Sequence, residues 1–143
     1  MIIEKMKIDD YDEIHQIWSI TNGTTLRAID DSKEGIERFL KRNPNNNFIC
    51  RIDGNIIGGI LCGHDGRKGF IYHTVVNENY RDRGIGKKLV ENVIKSLKEE
   101  NITKIGLLVN SDNISGNNFW ESLGFRYFKN LKYRILPLDE FNT

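Results

Sequence analysis

Arg81, Arg83, Gly84, Gly86 and Lys87 fall within one short stretch, Asn79-Tyr80-Arg81-Asp82-Arg83-Gly84-Ile85-Gly86-Lys87-Lys88-Leu89-Val90. These residue types together suit the binding of a small polyanion. Downstream, Ile85, Leu89, Val90, Val93, Ile94 and Leu97 recur at helical spacing, with Lys87, Lys88, Glu91, Lys95 and Lys98 between them. This pattern predicts an amphipathic helix starting at or near Gly84. The first turn of a helix leaves N–H groups without intrahelical partners, and the aligned peptide dipoles add about half a positive charge there. Both effects favour an anion. Gly84 and Gly86 let a phosphate approach without a Cβ in the way, and the arginines can donate bidentate hydrogen bonds to its oxygens. A pyrophosphate fits such a turn; the plainer alternative is a glycine-containing turn into a surface helix with a solvated basic face. A dinucleotide fingerprint would need a glycine where Leu89 stands, and a P-loop would need Gly-Lys-Ser/Thr after a four-residue gap. Neither fits.

The elements around this turn alternate without a linker or low-complexity tract. Residues 2 to 8 read as a strand, followed by a helix capped at Asp9 with Tyr11, Ile14 and Trp18 on one face. Asn22-Gly23 breaks the pattern within Thr21 to Asp30. A second helix follows, with Asp31 and Glu34 spaced as a cap and Ile36, Phe39 and Leu40 as its apolar face; Pro44 and Asn45-Asn46-Asn47 stop it. The period then becomes strand-like: Phe48 to Ile52 and Asn55 to Cys62 flank Asp53-Gly54, a two-residue hairpin signal, and Phe70 to Val76 makes a third antiparallel strand. After the basic helix come a strand at Lys104 to Asn110, a helix at Asn113 to Leu123, and a final strand pair at Phe125 to Phe128 and Tyr133 to Leu138. The passage from 70 to 110 reads as a parallel crossover, which makes the sheet mixed.

Length and charge set limits. The chain has 143 residues, enough for one ordinary domain, and a net charge of +1. No global field recruits nucleic acid or an acidic membrane, so the cations near residue 81 form a local cluster. Cys50 and Cys62, the only cysteines, each lie in an apolar run and read as buried reduced thiols rather than a disulfide or a metal site. No stretch reaches membrane-spanning length. The expected location is the cytoplasm.

Arg81-Asp82-Arg83-Gly84-Ile85-Gly86 resembles the Arg-x-x-Gly-x-Gly pattern of the GNAT superfamily of acyl-CoA-dependent N-acetyltransferases. A second motif agrees: Asn113 opening a helix that ends Phe119-Trp120-Glu121-Ser122-Leu123-Gly124-Phe125 resembles the family's loop asparagine and its Tyr-x-x-x-Gly-Phe. The order of elements is similar to the GNAT fold over essentially the whole chain. The resemblance implies a single α/β (α+β) N-acetyltransferase domain over 1–143, with a mixed sheet of about seven strands flanked by about four helices. It implies acetyl-CoA as co-substrate and no metal. Backbone groups of Thr74, Val75 and Val76 would bond the pantetheine arm like an added strand. The segment Arg81, Asp82, Arg83, Gly84, Ile85, Gly86 and Lys87 would hold the pyrophosphate. Asn113 would contact the pantetheine across a cleft, or cap the helix that follows it, or both.

The implied chemistry is direct attack of a primary amine on the acetyl thioester. An amine of pKa about 10.4 is neutral in only about one molecule in 2,500 at pH 7, a handicap of ~4.6 kcal/mol. Some group must take its proton, and Phe70 to Val76 contains no carboxylate. His73 is therefore the candidate general base, with a structural histidine paired to a neighbour as the alternative. Trp120 stands where many members have the tyrosine that protonates the leaving thiolate; indole cannot be a general acid, and Trp120 is placed instead along the pantetheine arm. A backbone N–H near Val76 would hold the developing oxyanion, a donor type worth ~3 kcal/mol. Leu108 stands where members acetylating ribosomal protein N-termini carry glutamate. The acceptor pocket would be bordered by Thr21 to Asp30, where Arg27 could receive a carboxylate, and by the last strand pair. The loop Gly63 to Gly69 looks like that of the YpeA-like group of small bacterial members. A small amine is the expected acceptor for a monomer or homodimer; the alternatives are a protein N-terminus and a non-catalytic acetyl-CoA sensor.

Overall fold

A computed structural model describes residues 1–21 and 24–142; the expected turn at Asn22-Gly23 lies outside the described residues. The strands are β1 (Ile2–Lys5), β2 (Phe48–Ile52), β3 (Asn55–His64), β4 (Gly69–Val76) and β5 (Ile105–Leu107). The helices are α1 (Tyr11–Ile20), α2 (Lys33–Arg42), α3 (Ile85–Glu99) and α4 (Ile114–Ser122), with single 3-10 turns at Ile8–Asp10 and Glu78–Tyr80. Strand order follows the chain, β1 to β4 antiparallel and β5 parallel to β4, so the sheet is mixed as the crossover requires.

Local chemistry accounts for most of these boundaries. Asp53 and Gly54 both have left-handed φ, 51° and 80°, the backbone of a tight hairpin that matches strand twist. α2 is capped by Ser32, whose side chain accepts from the Gly35 N–H at 3.0 Å, and not by Asp31. The approach to α1 is fixed by Asp10 rather than Asp9: Oδ2 accepts from the Lys7 N–H at 2.9 Å, while Oδ1 accepts from Arg51 at 2.6 Å.

Among the described residues the sheet has five strands, not about seven. Residues 125–128 and 133–138 pair with no strand, and Tyr127, Phe128, Tyr133, Ile135, Leu136 and Leu138 are exposed. Alternating apolar residues make a segment able to pair but supply no edge to pair with, and Pro137 removes one ladder donor.

The sheet is covered on both faces. On one, α3 buries Leu89, Val90, Val93 and Leu97 against Cys50, Ile57, Cys62 and Ile71. On the other, Ile14, Trp18 and Ile36 pack on Ile49, Ile56, Leu61 and Val75. Both cysteines are buried and unpaired. Two irregularities in β4 then shape the site. Its register against β3 steps from Ile60 opposite Thr74 to Cys62 opposite Ile71, so Tyr72 and His73 together face Leu61. Such a bulge bends the strand and raises its twist. Pairing with β5 covers only Gly69 to Ile71. Beyond Ile71 the two strands part.

Candidate functional site

One wall of the site is the turn from β4 into α3. After the 3-10 turn, Arg81 is extended, Asp82 has φ of 62°, and Gly84, the residue before α3, has φ of 76°. Non-glycine residues seldom adopt such φ, so the turn is specified rather than incidental. The first helical hydrogen bond runs from the Lys88 N–H to the Gly84 carbonyl at 3.1 Å. Hence the N–H groups of Ile85, Gly86 and Lys87 have no intrahelical partner. Among the described residues no side chain caps this helix, whereas Ser32 caps α2 and Asn113 caps α4. A Cβ added at Gly84 would meet nothing within 4 Å, so the approach to these groups is open. Arg81 donates from Nε to the Val76 carbonyl at 3.3 Å, and the Arg83 guanidinium lies 5.2 Å from the centroid of the Tyr80 ring. Both cations are thereby held beside the turn.

The second wall is the outer edge of β4. The Asn77 N–H donates to the Ile57 carbonyl of β3 at 2.7 Å, and Val75 is opposite Gly59. Because backbone groups alternate along a strand, Val75 turns its groups to β3 while Thr74 and Val76 turn theirs to the edge that β5 has left. The Val75 side chain is core. Thr74 Oγ1 is sealed from solvent and has no hydrogen-bond partner among the described residues.

The third wall is α4. Asn113 Oδ1 accepts from the Gly116 N–H at 3.0 Å and from Ser115 Oγ at 3.3 Å, which makes it the helix cap; its Nδ2 has no hydrogen-bond partner among the described residues. Phe119 packs against Gly86 of α3. Trp120 stacks edge-on between Phe119 and Phe125, with ring centroids at 4.8 and 5.1 Å, and leans on the core beneath α3. That position makes it a packing residue of the α4 wall.

His73 lies on the opposite face of the sheet, against Trp18 of α1 and the end of the α1–α2 loop. Its Nε2 is 2.7 Å from Asp31 Oδ1, and its ring lies 5.0 Å from that of Trp18. Asp31 is buried; its Oδ2 accepts from the Arg27 N–H at 2.6 Å and its carbonyl accepts from Tyr11 Oη at 2.6 Å. Sequence reasoning missed this partner because Asp31 and Glu34 have the spacing of a cap. The signal available was Ser32, an equally good cap next door, which leaves the Asp31 carboxylate without a local use. Leu108 is exposed just beyond β5. Asn142 Nδ2 donates to Asp30 Oδ1 at 3.3 Å, bringing the end of the chain to the α1–α2 loop.

These groups fit a ligand with a dianionic middle and an amide-bearing arm. Unpaired N–H donors and two arginines gather at the helix end, and alternating N–H and C=O groups line the open strand edge. Among the described residues no three or more His, Cys, Asp or Glu are grouped to hold a metal ion, and no helix is long and apolar enough to cross a membrane.

Comparison with known proteins gives the family and the fold. The chain is 31% identical over 125 residues to acetyltransferase SG1711 of Sodalis glossinidius, covering 87% of each. It superposes on Ard1 from Thermoplasma volcanium with a TM-score of 0.78 at 19% identity, covering 87% of this chain and 82% of that one. It also superposes on a chain of the NatC complex bound to Gag peptide and CoA, with a TM-score of 0.70 at 25% identity over 90% and 86% of the two chains. Residues 11–125 match the profile of the acetyltransferase (GNAT) family, and the chain belongs to that family.

Proposed function

We propose that this acetyltransferase moves the acetyl group of acetyl-CoA to the primary amine of a small molecule, by direct attack while both substrates are bound. The N–H groups of Ile85, Gly86 and Lys87, with Arg81 and Arg83, hold the pyrophosphate. Thr74 and Val76 align the pantetheine arm along the free edge of β4, and Asn113 Nδ2 reaches it from α4. Acetyl-CoA supplies an activated acyl group whose leaving thiolate, of pKa about 8.5, departs without a strong acid. The Val76 N–H faces the position where negative charge develops, and His73 takes the proton from the amine.

The observation that supports a small acceptor is the Asn142–Asp30 hydrogen bond, which ties the C-terminal segment to the α1–α2 loop expected to border the acceptor. A second reading, a protein N-terminus as acceptor, is favoured by the structural neighbour bound to a peptide and CoA. A panel of small primary amines and free N-terminal tripeptides, assayed for CoA release and for the mass of the acetylated product, separates the two. Faster turnover of small amines is expected, and faster turnover of tripeptides would move the assignment to the second reading. His73→Ala should lower kcat by about 10² or more with little change in CoA affinity; wild-type turnover in that variant removes His73 as the base.

A further inference from the structure

We infer that Asp31 is the positioning residue for His73, fixing its tautomer so that Nδ1 is the basic atom offered to the acceptor. This rests on the reading of His73 as the general base. The bulge in β4 sets Tyr72 and His73 side by side opposite Leu61 and turns the His73 ring onto Trp18, where Asp31 Oδ1 meets Nε2 at 2.7 Å. The His73 and Asp31 side chains are only 12% and 7% exposed, so little water competes for this contact.

The carboxylate cannot turn away. Its Oδ2 is held by the Arg27 N–H, and the Asp31 backbone is tied at both groups: its N–H donates to the Arg27 carbonyl at 3.1 Å and its carbonyl accepts from Tyr11 Oη. An ionised carboxylate only accepts hydrogen bonds, so the nitrogen facing it carries the proton. A neutral imidazole protonated at Nε2 is bare at Nδ1, and Nδ1 has no hydrogen-bond partner among the described residues. In the reaction the amine nitrogen bonds to the acetyl carbon, the carbon–sulfur bond breaks and its electron pair leaves on sulfur. The amine proton passes to Nδ1, and the imidazolium so formed sits against the Asp31 charge until it returns that proton to the thiolate or to water. The same carboxylate anchors the loop bordering the acceptor, so base and loop are set by one residue.

Asp31→Asn tests this, because the isosteric amide must still accept from the Arg27 N–H. Its oxygen turns to Arg27 and its NH2 to Nε2, which forces the His73 proton onto Nδ1 and blocks the base. The imidazole nitrogen shifts of His73, read by NMR on the free protein, should report a bare Nδ1 in the wild type and a bare Nε2 in Asp31→Asn. In the same variant kcat should fall by at least about tenfold, with the affinity for CoA unchanged. A bare Nε2 in the wild type, or an unchanged tautomer in Asp31→Asn, overturns the inference, and the wild-type spectrum decides even if the variant does not fold. Full kcat in Asp31→Asn alongside a crippled His73→Ala overturns the role of Asp31 alone. Full kcat in both removes the reading of His73 on which it rests.

Discussion

The Phe119 ring on α4 lies so close to the backbone of Gly86 on α3 that a Cβ added there would sit 3.2 Å from Cζ and 3.3 Å from Cε1. Gly86 thus has two roles: its N–H is one of the unpaired donors at the helix end, and its missing side chain lets α4 close against α3. Gly86→Ala sets two effects against each other. Alanine in a helix is favoured over glycine by about 1 kcal/mol, while the Phe119 ring must give by a few tenths of an ångström. The expected result is a stability within about 1 kcal/mol of wild type and a several-fold weaker affinity for CoA, as the displaced ring shifts one wall against the other. Thermal unfolding and calorimetric titration with CoA check the two halves separately; unchanged affinity with lost stability would make Gly86 a packing glycine only.

Asn113 offers a cleaner division between cap and ligand contact. Oδ1 caps α4 through the Gly116 N–H, while Nδ2 has no hydrogen-bond partner among the described residues. Asn113→Asp keeps an acceptor for the cap and removes the amide donor. Its stability should match wild type, whereas Asn113→Ala should lose about 1 kcal/mol with the cap. If Nδ2 bonds the pantetheine arm, both variants weaken CoA binding to a similar degree. Full affinity in Asn113→Asp would leave capping as the only role of this side chain.

Features encoded by neighbours in the chain were legible, and those set by distant contacts were not. The hairpin at Asp53-Gly54 and the start of α3 at Gly84 each need a left-handed backbone that few residues tolerate, so short spans specify them. Asp31 is the counter-example. Its local spacing fits a cap, yet its carboxylate bonds His73, 42 positions along the chain. Likewise, nothing in the run Phe70 to Val76 marks the extra residue that makes the bulge, because a bulge is a property of two strands in register. The residues after Phe125 alternate like a strand but lack a paired edge, which periodicity cannot supply. The turn at Arg81 to Lys87, one continuous run, was readable; the His73–Asp31 pair, assembled from a bulged strand and a distant loop, was not.

Cys62 gives a prediction in pH. It is fully buried on β3, its N–H donates to Asn47 Oδ1 at 2.8 Å, and burial pushes its thiol up from an ordinary 9.0 to about 12. The sign follows from which state holds the proton. Between about pH 9 and 12 the unfolded chain has lost the thiol proton while the folded chain retains it, so stability falls as pH rises through that window and is unaffected by this group below it. Cys62→Ala removes the group, so the stability difference between wild type and variant isolates it from the lysines and tyrosines that titrate in the same range. That difference should be constant below about pH 9 and then shift against the wild type by up to about 1.4 kcal/mol per pH unit. Urea unfolding of both proteins at pH 8, 9.5 and 10.5 measures it, and a difference that stays flat across the three would mean that the thiol is not held protonated by the core.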